Sequence, residues 1–143
     1  MTNLSCNETI VNLDDLFKKP QITPYGFMRL FFATLTKKGK DYILRKNLVS
    51  NIYKLSEKKE YEILVKEIGF NVFIDSVSSQ EIEDGIACLQ TFGLAGKLNP
   101  SYEKIINFIS PNEAKKIINE YESEITKRMD SFVKDYIKIS KSK

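Results

Sequence analysis

The chain has 143 residues, 42% hydrophobic and 29% charged, with a net charge of +3, which describes one soluble domain with enough material for a single core. It contains no histidine, which removes the usual general base and the commonest metal ligand, and no tryptophan. Cys6 and Cys88 are too few for a zinc site without histidine partners, and in a chain read as lacking a secretory leader they are expected as reduced thiols.

The start, MTNLSCNETI, lacks a basic stretch followed by an apolar run, and no apolar run approaches the length of a membrane span. The expected compartment is therefore the cytoplasm, with no membrane partner. Charge is unevenly spread. Residues 37 to 67 hold nine bases and five acids, whereas 78 to 110 hold only Lys97 and Lys104 against Glu81, Glu83, Asp84 and Glu103.

Residues 1–22 read as a polar arm, with one or two helical turns over Val11–Phe17 ended by Lys18-Lys19-Pro20. Residues 23–143 read as one domain. Thr23-Pro24 is a helix start, and Phe27, Leu30, Phe31, Phe32 and Leu35 form a core stripe up to the stop at Lys37-Lys38-Gly39. A second helix is expected over Asp41–Leu55 and a third over Ser56–Phe70, with Tyr61, Leu64, Val65 and Ile68 inward. Asn71–Val77 favours a strand or a packed connection.

Ser78 or Ser79 caps the next helix, with acids in its first turns. Ile82, Ile86 and Leu89 share its inner face, while Gln80, Glu83, Asp84, Ala87 and Thr91 share the outer one. Gly93 ends it. Leu94–Leu98 and Lys104–Ile109 read as strands around a turn at Asn99-Pro100-Ser101. Beyond Pro111 one long helix is expected over 112–139. Its seam of Ile118, Tyr121, Ile125, Met129, Phe132 and Tyr136 either pairs with a second copy or folds back as a clasp on the Phe-rich first helix. The fold class is therefore mainly α with a small β-hairpin.

The order of helices followed by SSQEIEDGIACLQTFGLAGKLNPSYEKIINF resembles winged helix-turn-helix regulators, with Leu89 to Leu94 matching their LxxxGL junction. The long terminal helix is similar to that of MarR-like and PadR-like dimeric repressors. The resemblance implies a core of helices 41–55, 56–68 and 78–93, a wing between Lys97 and Lys104, an additional N-terminal helix, and a homodimer on double-stranded DNA. Lys97, Lys104, Arg45, Lys46, Lys58, Lys59, Gln80 and Thr91 are the nucleic-acid candidates. Glu83 and Asp84 stand where a groove-reading helix is usually basic. The alternative is accordingly a protein-binding module, such as a small inhibitor or adaptor from a mobile genetic element, that offers Glu81, Glu83 and Asp84 to a basic partner. No catalytic residue, cofactor or metal is expected. The carboxylate pairs Glu81/Asp84 and Glu120/Glu124 have ordinary surface spacing, and no phosphate-cradling glycine loop is present.

Overall fold

Helix α1, Pro24–Lys37, is held at its start by Thr23, whose hydroxyl accepts the Gly26 N–H at 2.9 Å, and is followed by Gly39 at φ +80°. The computed structural model describes residues 22–97 and 103–141. The expected arm over 1–22 thus falls outside the described residues except for Ile22, which is buried. The Asn99-Pro100-Ser101 turn falls outside them as well.

α1 is buried on nearly every side, from Gly26 to Leu35, so it is the hub of the molecule and not merely a one-faced core helix. Around it come β1 (Tyr42–Leu44), α2 (Leu48–Ser56), a 3₁₀ turn (Lys59–Tyr61) running into α3 (Glu62–Val65), a hairpin of β2 (Asn71–Val72) and β3 (Val77–Ser78), α4 (Gln80–Thr91), β4 (Ala95–Lys97), β5 (Lys104–Asn107), α5 (Pro111–Asn119) and α6 (Ser123–Lys141). The described chain is mainly helical, with one small antiparallel sheet of order β1-β5-β4 and the separate β2-β3 hairpin.

Three expected helices change. Asp41–Leu55 opens as a strand: Tyr42, Ile43 and Leu44 pair with Ile106, Ile105 and Lys104, and helix begins only at Leu48. Burial alternates, with Ile43 inside and its two neighbours outside, which is a period of two that three residues cannot reveal in a sequence. Ser56 does not cap a third helix. It ends α2, its hydroxyl donating to the Tyr53 carbonyl at 2.6 Å, and Ser56–Phe70 contains only the 3₁₀ turn and the single turn of α3. The helix expected over 112–139 is broken at residues 120–122. Ser110 and Glu113 form a capping box for α5. At its end Arg29 takes the Glu120 carboxylate in a fork at 2.6 and 3.1 Å, and the Tyr121 hydroxyl lies against Gly26. The break lets α5 and α6 cover different sides of α1.

α6 is a clasp within its own chain. Phe132 meets Phe27 and Tyr61 edge-on at 5.3 and 5.0 Å, and Tyr136 meets Phe31 at 5.0 Å. Ile125, Met129, Phe132 and Tyr136 are all buried there, with Ile118 and Tyr121 half-buried beside them. These side chains, expected either as a dimer interface or as a clasp, are packed in the core of their own chain against α1.

The clasp also carries a pH dependence. The Tyr61 hydroxyl donates to Asp135 Oδ2 at 2.6 Å and Lys58 pairs with the same oxygen at 3.2 Å. The Tyr61 bond, aided by Lys58, holds the Asp135 carboxyl below its ordinary value against the opposing effect of burial. A carboxyl lowered in the folded state contributes stability above its unfolded pKa of about 4 and loses it as pH falls through the folded value. Asp135→Asn is expected to cost about 1–2 kcal/mol at neutral pH. The gap to the wild type should narrow as urea titrations are repeated below about pH 4.

α4 approaches α1 closely. A Cβ placed on Gly85 would stand 2.7 Å from Met28 Cγ and 3.3 Å from its Cβ. Gly→Ala inside a helix ordinarily gains about 1 kcal/mol, but overpacking against a side chain near its root costs about 1–3 kcal/mol. Gly85→Ala is expected to lower stability. A rise in its urea midpoint would show that Met28 yields without cost.

Candidate functional site

The antiparallel register brings the end of β1, the start of β5 and the end of β4 to one edge of the sheet, where Leu44 faces Lys104 and Ile105 faces Lys97. Arg45 continues β1, its N–H donating to the Glu103 carbonyl at 2.8 Å. Its guanidinium reaches out to Glu83 on α4 at 2.8 Å. Lys46 is exposed and makes no ion pair among the described residues. The Lys104 ammonium sits 4.6 Å over the Tyr42 ring. Three of the sequence candidates, Arg45, Lys46 and Lys104, thus gather at this end, and the register places position 97 of β4 there too. None of these cross-strand relations has a local signature, because β1 and β5 are about sixty residues apart in the chain.

The other basic candidates lie elsewhere. Lys58 is engaged by Asp135 of α6, and Lys59 is exposed in the adjoining 3₁₀ turn, which packs on α2, α3 and α6. They do not join the group at the sheet.

On α4 each acid has a local partner. Ser79 caps the helix, its hydroxyl accepting the Ile82 N–H at 3.3 Å. Glu81 accepts the Gly69 N–H at 3.0 Å, Glu83 takes Arg45, and Asp84 accepts the Gln80 side-chain amide at 2.8 Å. Thr91 is exposed and donates to the Ala87 carbonyl at 2.9 Å. The acidic face is therefore partly compensated from within. Arg45–Glu83 is a half-exposed pair, so its stabilisation is on the order of 1 kcal/mol or less.

Cys88, on the inner side of α4, is buried and disulfide-bonded, not the reduced thiol expected from the sequence; Cys6 lies outside the described residues. Redox compartment was the basis of that expectation, whereas pairing is decided by which side chains the fold brings together.

Sequence reasoning also missed Asn107. Its side chain is buried at the join of α1, β1 and β5. The amide NH₂ faces the Phe32 carbonyl and the Thr36 hydroxyl at 2.9 Å each and the Lys40 carbonyl at 3.3 Å, and Oδ1 accepts the Ile109 N–H at 3.1 Å. An Asn within an otherwise apolar strand, KIINFI, is the signal that could have been used.

Compared with protein-family models, curated proteins and solved structures, the chain matches none of them. Among the described residues, no helix is long and apolar enough to cross a membrane. The site must therefore be judged on its own geometry. It offers cations on an open strand end beside a capped helix.

Proposed function

We propose that the protein is a DNA-binding regulator or accessory factor built as a winged helix, not an enzyme, and that it meets double-stranded DNA with the end of the sheet next to α4. The observation that carries this reading is the gathering of Arg45, Lys46 and Lys104 at the end of a β1-β5-β4 sheet where the register also ends β4, at position 97. The chain order, with α1 and β1 first and α4 running directly into the β4-β5 pair, supports it as well, the β2-β3 hairpin being an insertion between α3 and α4. Here β1, misread as helix, supplies the third strand of a winged core. α1 becomes the first core helix and α4 the groove-facing one.

Arg45 bears on the difficulty posed by acids on α4. It neutralises Glu83 at the end of the helix nearest the cations, so the field there is less repulsive than the sequence alone implies. Glu81, Glu83 and Asp84 as a docking face for a basic protein are less favoured, because each is already engaged within the chain. A homodimer built on the α6 seam is not part of the proposal, since that seam is buried internally.

The test is fluorescence anisotropy with a labelled duplex over a range of salt. Binding is expected at low salt, with log K falling with log salt at a slope of about −2 to −4, the signature of a few phosphates neutralised. Lys46→Glu with Lys104→Glu should weaken binding by about a hundredfold, whereas Lys59→Glu should change it little. Undetectable binding at low salt, or equal loss in the Lys59 variant, would refute the assignment of this surface.

A further inference from the structure

We propose that the free edge of β1 is a strand-addition site for an extended, acidic and apolar peptide segment of a partner protein. This does not depend on the DNA reading, since it uses the opposite edge of β1 from the one paired in the sheet.

The observation begins with the ladder. The Asn107 N–H donates to the Asp41 carbonyl and the Arg45 N–H to the Glu103 carbonyl, both at 2.8 Å, with Ile43 opposite Ile105 between them. In an antiparallel ladder the main-chain groups of alternate residues face alternate sides. Residues 41, 43 and 45 therefore face β5, and the N–H and C=O of Tyr42 and Leu44 face the other way. β1 ends the sheet, and no described hydrogen bond takes those groups.

They do not open onto plain solvent. They look across a cleft to the last turns of α6, over a cavity of about 300 Å³. Leu35 and Ile43 line it from the core, with Leu44 and Ile137 at its sides. The lining is mixed, with Asn47, Asn51 and Ser140 beside these apolar residues. An open strand edge facing a helix across such a cleft is the arrangement in which an added strand gains main-chain bonds from one wall and seats alternate side chains against the other.

Charge specifies the occupant. The cleft is lined by Lys40 and Lys141, neither in an ion pair among the described residues, against the single acid Asp41. A segment with one apolar residue aimed into the cavity and carboxylates on either side matches both features. A basic segment would meet two lysines. Edge strands left open are an aggregation hazard, and this one is flanked by charge and is only three residues long.

The test uses ¹⁵N-labelled full-length protein and four hexapeptides. The first is acetyl-Glu-Val-Asp-Ile-Asp-Val-amide, the second is its counterpart with lysine for each acid, and the third and fourth are the acidic peptide N-methylated at alternate residues, one in each phase. The acidic peptide is expected to shift the Tyr42 and Leu44 amides and slow their hydrogen exchange. The lysine peptide and the N-methylated peptides should bind at least about fivefold more weakly.

Lys40→Glu with Lys141→Glu should reduce the affinity by a similar factor. Leu44→Pro removes an N–H that the β1-β5 ladder does not use, so it should keep the fold and lose the peptide. Should that variant fail to fold, the N-methylated peptides still decide the question. No shift at Tyr42 and Leu44 at millimolar peptide would overturn the proposal. So would equal binding by the N-methylated peptides, or response of these amides to a short single-stranded oligonucleotide and not to the peptide.

Discussion

Phe132→Ala is expected to lower the unfolding free energy by about 3–5 kcal/mol, a large part of the roughly 5–15 kcal/mol that holds a domain of this size. Phe132 is fully buried, and its ring meets Phe27, Phe31 and Tyr61 at 5.3, 6.1 and 5.0 Å. Truncation removes contacts to three rings on two elements, α1 and the 3₁₀ turn, and leaves a cavity that the rigid α1 rings cannot collapse to fill. In urea the midpoint should fall by about 2 M. Phe92→Ala is the control, because Phe92 is half exposed and touches only Tyr25 among aromatic rings. It should cost about 1 kcal/mol or less.

Protein concentration adds a second arm. If α6 clasps its own chain, the midpoint is independent of concentration; if the seam pairs copies, it rises with concentration. A Phe132→Ala loss below about 1 kcal/mol, or a concentration-dependent midpoint, would reject the clasp.

The parts of the fold written locally were legible in the sequence. Thr23-Pro24 and Gly39 bracket α1 as expected, and Ser79 and Gly93 (φ +74°) bracket α4. The strands expected over Leu94–Leu98 and Lys104–Ile109 also form, over the shorter ranges Ala95–Lys97 and Lys104–Asn107. The misreadings share one cause. β1 is a strand because β5 pairs with it, and the helical spacing of Leu48, Ile52 and Leu55 just after it invites extending the helix back over it. α1 is covered all round because α4, α5 and α6 each take a side, which its own stripe does not announce. The α5–α6 break follows from the Arg29–Glu120 fork and from Tyr121 against Gly26, contacts across about ninety residues, and residues 120–122 hold no glycine or proline to announce it.

The candidate site divides the same way. Residue types were readable, so the lysines and acids were all found. Grouping was not. Arg45 and Glu83 are thirty-eight positions apart, and their pairing alters what an acidic α4 means for a polyanion. Lys58 and Lys104 read alike in the sequence, yet one is bound to Asp135 in the clasp and the other lies over a Tyr ring at the sheet end.

Asn107 provides the sharpest test of how that sheet end is held to the core. It is 8% exposed, and its one side chain serves the last turn of α1, the Lys40 carbonyl before β1, and the Ile109 N–H. Replacement by leucine keeps the volume and removes every one of these bonds. A buried polar group left without a partner costs about 1–3 kcal/mol, so Asn107→Leu should lose about 3–5 kcal/mol even though a leucine is ordinarily the better core residue.

Asn107→Asp is worse at neutral pH, because a carboxylate would face the Phe32 and Lys40 carbonyls and the Thr36 hydroxyl with no N–H to offer them. Burial and those carbonyls raise the folded pKa of the introduced acid above its unfolded value of about 4. An acid raised in the folded state destabilises it increasingly as pH climbs above the unfolded value, and the deficit disappears below it. The aspartate variant should therefore approach the leucine variant near pH 4 and fall below it near pH 7, opposite in sign to the acid loss expected from Asp135. Urea midpoints for both variants across that range would decide it. A leucine variant as stable as the wild type would mean that the join between α1 and the sheet is held by apolar packing alone.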